Sequence, residues 1–213
     1  MTGAGLAAPI SPATSFADAA ATPLAAGTAC LVLARLGLPA ASRLLVLGAS
    51  GGVGLFLLQL AAAAGIMTIG VGRRAMHAQM GGCGAAACID YTGEDVPSRA
   101  ITLAGGPVDA IADLAGGRLA RAACTALRPG GQIAAIATPE LDLDLLLDAN
   151  ITFHGVLVQD DGDRTRALAA LLDRRALRPV VSHVLPLAAA AEAHRILEGG
   201  HAGGKIVLDV AGG

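Results

Sequence analysis

The stretch "LLVLGASGGVGLFLLQLAAAAG" at residues 44–65 decides the fold. It opens as a short apolar run, breaks into glycines and resumes as a long apolar segment whose one polar residue is Gln59. A buried strand over 44–48, a tight turn and a helix over 52–64 satisfy that pattern. In such a turn Gly51 lets the chain reverse and lets backbone approach a ligand, Gly52 keeps the surface bare, and Gly54 removes a side chain where helix meets sheet. The helix start then offers free N–H groups and a positive dipole end to a pyrophosphate. A glycine pattern alone is weak evidence; the strand before it and the helix after it supply the context the motif requires.

Outward from this turn the chain alternates. Apolar runs at 44–48, 67–72, 86–91, 108–114, 131–137 and 152–158 read as buried strands, with helices at 52–64, 73–81, 95–104, 117–127 and 141–149. That alternation predicts an α/β fold: a doubly wound parallel sheet of Rossmann type, three layers αβα, in the order 3-2-1-4-5-6. Residues 1–14 read as a loose segment. Ser15 and Asp18 form a capping box ahead of a helix of small residues to about Arg35, interrupted near Pro23. A helix at 161–176, a strand near 180–185, a helix at 188–198 and a last strand "KIVLDV" close a single domain over 15–213.

Composition bounds the function. Of the 213 residues 54% are apolar and 15% charged, with a net charge of −2, which points to neither nucleic acid nor an anionic membrane. Aromatic residues make up 2%, too few for base-stacking platforms. The apolar run from Leu55 to Met67 is too short to span a bilayer, and no positive n-region marks a secretory signal. Cys30, Cys83, Cys88 and Cys124 read as free thiols of a reducing cytoplasm, since no second pair accompanies Cys83 and Cys88.

Cofactor choice turns on the end of the second strand, "MTIGVG". An acidic residue there would bind the ribose 2′-hydroxyl of NAD. The position is Gly72, followed by Arg73 and Arg74. A bare residue leaves room for a 2′-phosphate and guanidinium groups pair with phosphate bidentately, so NADPH is the expected cofactor. The alternative is that both arginines form a solvated helix start, where their charge opposes the dipole.

Several stretches together resemble the medium-chain dehydrogenase/reductases, in the zinc-independent quinone oxidoreductase and zeta-crystallin branch. They are "FADAAATPLAAGTA" (16–29), "GASGGVG" (48–54), "GCGAAACIDY" (82–91), "LRPGGQIAAI" (127–136) and "LPLAAAAEAHRILEGGHAGGKIVLDV" (185–210). The resemblance implies a pyrophosphate turn of Ala49, Ser50, Gly51, Gly52, Val53 and Gly54 and a 2′-phosphate site at Arg73 and Arg74. It places Tyr91 near the adenosine end and Thr28 near the nicotinamide. The strand ends holding Ala137 and Thr138, and Phe153 and Gly155, then meet the nicotinamide carboxamide. Lys205 matches the basic residue of "GKIVL", with a plain strand-start charge as the even alternative.

Resembling enzymes carry a GroES-like barrel ahead of this region, which supplies most of the substrate pocket. Here Met1 stands 15 residues before Phe16, so no catalytic residue can be named. Two functions follow as expectations. One is the NADPH-binding part of an oxidoreductase that reduces a quinone or conjugated carbonyl, working as a homodimer or with a separate GroES-like domain. The other is an NADPH-binding module, or a truncated remnant, without turnover of its own. No metal site is expected: His77, His154, His183, His194 and His201 do not pair with one another or with cysteine at ligand spacing. Asp142, Asp144 and Asp148 read as a solvated helix face, with a cation site as the alternative. Tyr91 lacks the lysine four positions on that a short-chain dehydrogenase needs, and Ser50 does not sit in a nucleophile elbow.

Overall fold

The computed structural model describes residues 4–200 and 202–210; His201 lies outside them. The chain divides into two compact units, Thr28–Leu157 and a second made of the segments Met1–Gly27 and Val158–Gly213.

The larger unit is built on six parallel strands: β1 (Arg43–Leu47), β2 (Met67–Val71), β3 (Ala87–Ile89), β4 (Val108–Asp113), β5 (Leu127–Ala135) and β6 (Thr152–Gly155). They lie in the order β3-β2-β1-β4-β5-β6 expected from the alternation. In register, Leu45 faces Ile69 on one side and Ile111 on the other. The two faces differ in bulk. Leu45, Leu47, Ile69, Val71, Ile111 and Ile133 pack with Val96, Ala100, Ala120 and Ala123 from the helices α5 (Val96–Ala104) and α6 (Arg118–Ala123). On the alternate face β1 keeps Leu44 and Val46, while the strands beside it carry small residues there, Gly70, Ala110, Ala112 and Ala134. A Cβ on Gly70 would lie 3.1 Å from Ala49 Cβ, so the small residues on this face let backbone come close. The helices α2 (Pro23–Leu36) and α3 (Gly52–Ala63) contribute Ala29, Val32, Leu36, Leu55, Phe56, Leu57 and Leu58 to the core.

Local chemistry sets the ends. Ser15 Oγ accepts the Asp18 N–H and starts α1 (Phe16–Ala21), and Pro23 opens α2 after a break at Thr22. Asp95 caps α5, which ends at Gly105 with φ +68°. The expected helix at 73–81 opens as a 3-10 turn, Arg74–Met76, before α4 (His77–Gly82). The fifth strand begins four residues earlier than read, because Leu127 already pairs with Val108 across a register shift at "PGG". The segment read as 141–149 is α7 (Leu143–Asp148), capped by Asp142. Asp142 also receives Arg121 at 2.8 Å, which makes it a surface ion pair.

The smaller unit holds α1, α8 (Gly162–Asp173), α9 (Ala190–Glu198) and a parallel pair, β7 (Val181–Pro186) with β8 (Lys205–Asp209). Asp161 caps α8, which buries Leu168, Ala169 and Leu172 and turns Arg166 outward. Asp173 at the end of α8 accepts the Ser11 N–H at 3.2 Å and the Thr14 hydroxyl at 2.7 Å, which ties the segment before α1 to this helix. Among the described residues no helix is long and apolar enough to cross a membrane.

Candidate functional site

The carboxyl ends of β1–β6 assemble the site residues of the larger unit. The left-handed residue of the turn after β1 is Gly48, φ +74°, which sequence reasoning passed over; Gly51 itself is extended, with ψ 168°. Gly51 N–H donates to Gly48 O at 3.1 Å, and Ala49 N–H donates to Val71 O at 3.1 Å, which fastens the turn to the end of β2.

The glycines of this turn serve different ends. A Cβ on Gly54 would lie 2.5 Å from Ala49 O, so packing against the turn itself demands glycine there. A Cβ on Gly51 would meet nothing closer than Gly48 O at 3.4 Å. The protein's own packing barely constrains Gly51, and its bare, exposed backbone stands ahead of a helix whose first turn no side chain caps. These features fit a pyrophosphate.

One strand over, Gly72 N–H donates to Ile89 O at 3.1 Å and His77 Nε2–H donates to Gly72 O at 3.2 Å. A Cβ on Gly72 would come within 3.2 Å of Ser50 Oγ and of the Met80 methyl carbon, so these side chains would have to give by a few tenths of an ångström to admit one. Arg73 Nε–H donates to Tyr91 Oη at 3.0 Å, which brings together two residues read separately from the sequence. Asp90, next to Tyr91, has its carboxyl held below the ordinary range first by the Thr92 hydroxyl, then by the Thr92 and Arg74 amides. Glu94 is lowered chiefly by the Asp90 amide, with Arg99 and Arg74 adding to it against burial. Arg74 thus stands near the Asp90 and Glu94 carboxylates, while Arg73 donates to the Tyr91 hydroxyl.

On the other side of β1, Ala137 and Thr138 follow β5, and Thr138 O accepts the Gly117 N–H at 3.0 Å. Phe153 and Gly155 sit on the edge strand opposite Ile133 and Ala135. Thr28 is buried in α2. Lys205 belongs to the smaller unit, where it opens β8.

Asp113, at the end of β4, was not foreseen. Its Oδ1 accepts the Ala115 and Gly116 N–H groups at 3.1 and 2.9 Å, and its buried Oδ2 has no partner among the described residues. The string "DLAGG" carries the local signal, an aspartate two and three residues ahead of the amides it captures. Burial, and then the Asp113 charge, push the Cys124 thiol up to about 11, so this cysteine is no thiolate nucleophile. A separate cavity of about 660 Å³ lies in the smaller unit, lined by Leu6, Ile10, Phe16, Leu168 and Leu172; none of the glycine-turn residues borders it.

Comparison with known proteins follows this geometry. A zinc-binding dehydrogenase family model matches residues 83–208. The chain is 27% identical over 221 residues to the mitochondrial NAD(P)H oxidoreductase RTN4IP1 of Danio rerio, covering 91% of this chain and 57% of that one. A solved NAD-dependent alcohol dehydrogenase superposes with a TM-score of 0.89 at 30% identity, over 96% of this chain and 62% of that one. The quinone oxidoreductase of Thermus thermophilus, solved also with NADPH, superposes with a TM-score of 0.77 at 28% identity, over 89% and 65%. The chain therefore spans less than two thirds of each relative. Among the described residues no three His, Cys, Asp or Glu side chains are grouped to hold a metal ion. The match over residues 83–208, the strand order and the glycine turn lead to one conclusion: the chain belongs to the zinc-binding dehydrogenase family, as the NAD(P)-binding C-terminal domain of a medium-chain dehydrogenase/reductase.

Proposed function

We propose that this chain binds NADPH along the carboxyl ends of its parallel strands and forms the cofactor-binding part of a quinone-reductase-type oxidoreductase. One observation carries most of the weight: Gly51 is bare where packing does not require it, ahead of the uncapped start of α3. In this reading Ala49, Ser50, Gly51, Gly52, Val53 and Gly54 hold the pyrophosphate. Gly72 leaves room for the 2′-phosphate, Arg73 and Arg74 pair with it, and Tyr91 orients Arg73 through the 3.0 Å contact. Thr28, Ala137, Thr138, Phe153 and Gly155 frame the nicotinamide, and Lys205 is the remaining basic candidate. NADPH, when bound, supplies a hydride to a quinone or conjugated carbonyl. The chain's part is to bind, to orient and to exclude water, and no side-chain acid or base is required of it for a quinone.

A homodimer through the β6 edge belongs to the same reading, since Phe153 and Leu157 remain exposed along it. A GroES-like domain would supply the substrate wall. Four cysteines, none of them in a disulfide, favour a reducing compartment, which we take to be the cytoplasm.

Calorimetric titration with NADPH and NADH, followed by turnover with 1,4-quinones and enones, tests the reading. Tighter NADPH binding with quinone reduction is the expected result. Equal affinities would sink the cofactor preference. Binding without turnover would identify the chain as a binding module.

A further inference from the structure

We infer that Asp113 is a positioning residue of the cofactor cleft, locking the turn after β4 against the turns after β1 and β5; this rests on the NADPH reading above. The carboxylate folds residues 114–117 back on the strand end by accepting the Ala115 and Gly116 N–H groups. On one side the folded turn meets Gly48, where a Cβ would lie 3.3 Å from Ala115 Cβ and 3.5 Å from Ala115 N. On the other it meets the β5 turn, where a Cβ on Gly116 would lie 2.8 Å from Thr138 O and 3.1 Å from Ala137 Cβ. Gly117 N–H donates to Thr138 O at 3.0 Å and Glu140 N–H donates to Gly117 O at 2.9 Å, which completes the joint. Backbone bonds carry it into the sheet: Leu114 N–H donates to Leu47 O and Ile136 N–H to Asp113 O, both at 3.1 Å. One side chain thereby sets the turn after β4, which abuts the turns after β1 and β5.

The location gives the lock its consequence. A doubly wound sheet takes a dinucleotide across the point where strand order reverses, one mononucleotide on each half. That point lies here between β1 and β4. Gly72, Arg73 and Tyr91 belong to the β1–β3 half; the turn that Asp113 holds belongs to the β4–β6 half. Its loss should be felt by the whole dinucleotide but not by a ligand confined to the adenosine half. The unpartnered Oδ2 fits a residue kept for position: an unpaired charged oxygen in a buried site costs stability that a neutral amide would cost less.

The test compares NADPH with adenosine 2′,5′-bisphosphate, a fragment of the adenosine half, by calorimetry on the full chain. Asp113→Ala should weaken NADPH by about 10-fold or more while leaving the fragment within about 2-fold. Asp113→Asn keeps the Oδ1 acceptor, so it should restore NADPH affinity and raise Tm. Unchanged NADPH affinity in Asp113→Ala, or equal weakening of both ligands, would overturn the inference. If Asp113→Ala does not fold, Gly116→Ala decides: it disturbs the same turn at φ +74° with Asp113 in place, and should give the same split. If the unmodified protein binds neither ligand, the NADPH reading fails and this inference falls with it. Binding by the unmodified protein without the split overturns the inference alone.

Discussion

The two ends of β4 carry an aspartate each and treat it in opposite ways. At the start of the strand, Asp109 accepts the Arg43 N–H at 2.9 Å and Arg128 Nε–H at 2.7 Å, so both its oxygens are engaged and the openings of β1, β4 and β5 are joined. At its end, Asp113 spends one oxygen on a turn and leaves the other buried and unpartnered among the described residues. One edge of the sheet is thus tied by side-chain bonds, and at the other, where α/β sheets bind their ligands, we place the cofactor. The difference also separates two kinds of damage. Changes at the amino edge should cost folding free energy and spare the cofactor; changes at Gly51, Arg73, Arg74 and Tyr91 of the carboxyl edge should do the reverse. A variant that moved both together would break the comparison.

The largest effect is expected at Gly51. A valine there places a branched side chain where the pyrophosphate must approach, so Gly51→Val should abolish NADPH binding by calorimetry with far-UV circular dichroism unchanged. Its neighbour supplies the contrast on the same turn. Gly54→Ala puts a Cβ against Ala49 O and should lower stability by about 1–3 kcal/mol, read as a fall in Tm. If Gly51→Val still binds NADPH, the pyrophosphate lies elsewhere.

That contrast shows where sequence reading reaches its limit. Strand order and the glycine turn were legible because apolar runs and turn glycines are local signals. The split between Gly51 and Gly54 was legible in outline, but which glycine is left-handed was not: Gly48 opens "GASGGVG" ahead of the residues read as the pyrophosphate turn, and it stands at φ +74° with Ala115 close by. The start of β5 was missed because "PGG" reads as a break, whereas the pairing of Leu127 with Val108 is made by a distant strand. The two aspartates of "VDAIAD" look alike in sequence. Asp109 finds Arg43 and Arg128 at long range, and no local pattern announces that.

Next in size is the arginine pair. Losing one charge-assisted phosphate contact costs about 1.5–3 kcal/mol, or roughly 10- to 150-fold in affinity, so Arg73→Ala with Arg74→Ala should weaken NADPH by at least that factor and leave NADH nearly unchanged. Both side chains are exposed, so Tm should not move. A parallel loss of NADH affinity would show that the arginines serve the fold or the pyrophosphate instead of the 2′-phosphate.

At the amino edge the effect is smaller and depends on pH. Burial pushes the Asp109 carboxyl up, but the Arg43 amide and the Arg128 guanidinium outweigh it and hold the group below its ordinary value of 3.8. A carboxyl lowered on folding adds stability that is present above its unfolded pKa and is lost as pH falls through its folded one. Asp109→Asn should therefore lower Tm at pH 7 by a few degrees, for a loss of about 1 kcal/mol, and the gap from the unmodified protein should narrow below about pH 4. NADPH affinity should hold. A gap that stays constant down to about pH 2 would show that Asp109 contributes no charge-linked stability.

The smallest effect sharpens the comparison most, because it lies wholly at the carboxyl edge and touches no ligand charge. Tyr91 reaches Arg73 through one hydroxyl, at 3.0 Å from Nε, and the ring is 44% exposed. Tyr91→Phe keeps the ring and removes that acceptor. A hydrogen bond at such a surface is worth about 0.5–1 kcal/mol, and here it would be felt as lost orientation of a guanidinium that the phosphate must then recruit from more rotamers. NADPH affinity should fall roughly 2- to 5-fold, NADH affinity should not change, and Tm should stay where it is. Combining Tyr91→Phe with Arg73→Ala gives the decisive cycle. If Tyr91 acts through Arg73, the tyrosine change should cost nothing once the arginine is gone. An undiminished loss in the double variant would mean that Tyr91 meets the cofactor directly, and the 3.0 Å contact would then describe only the protein without its ligand.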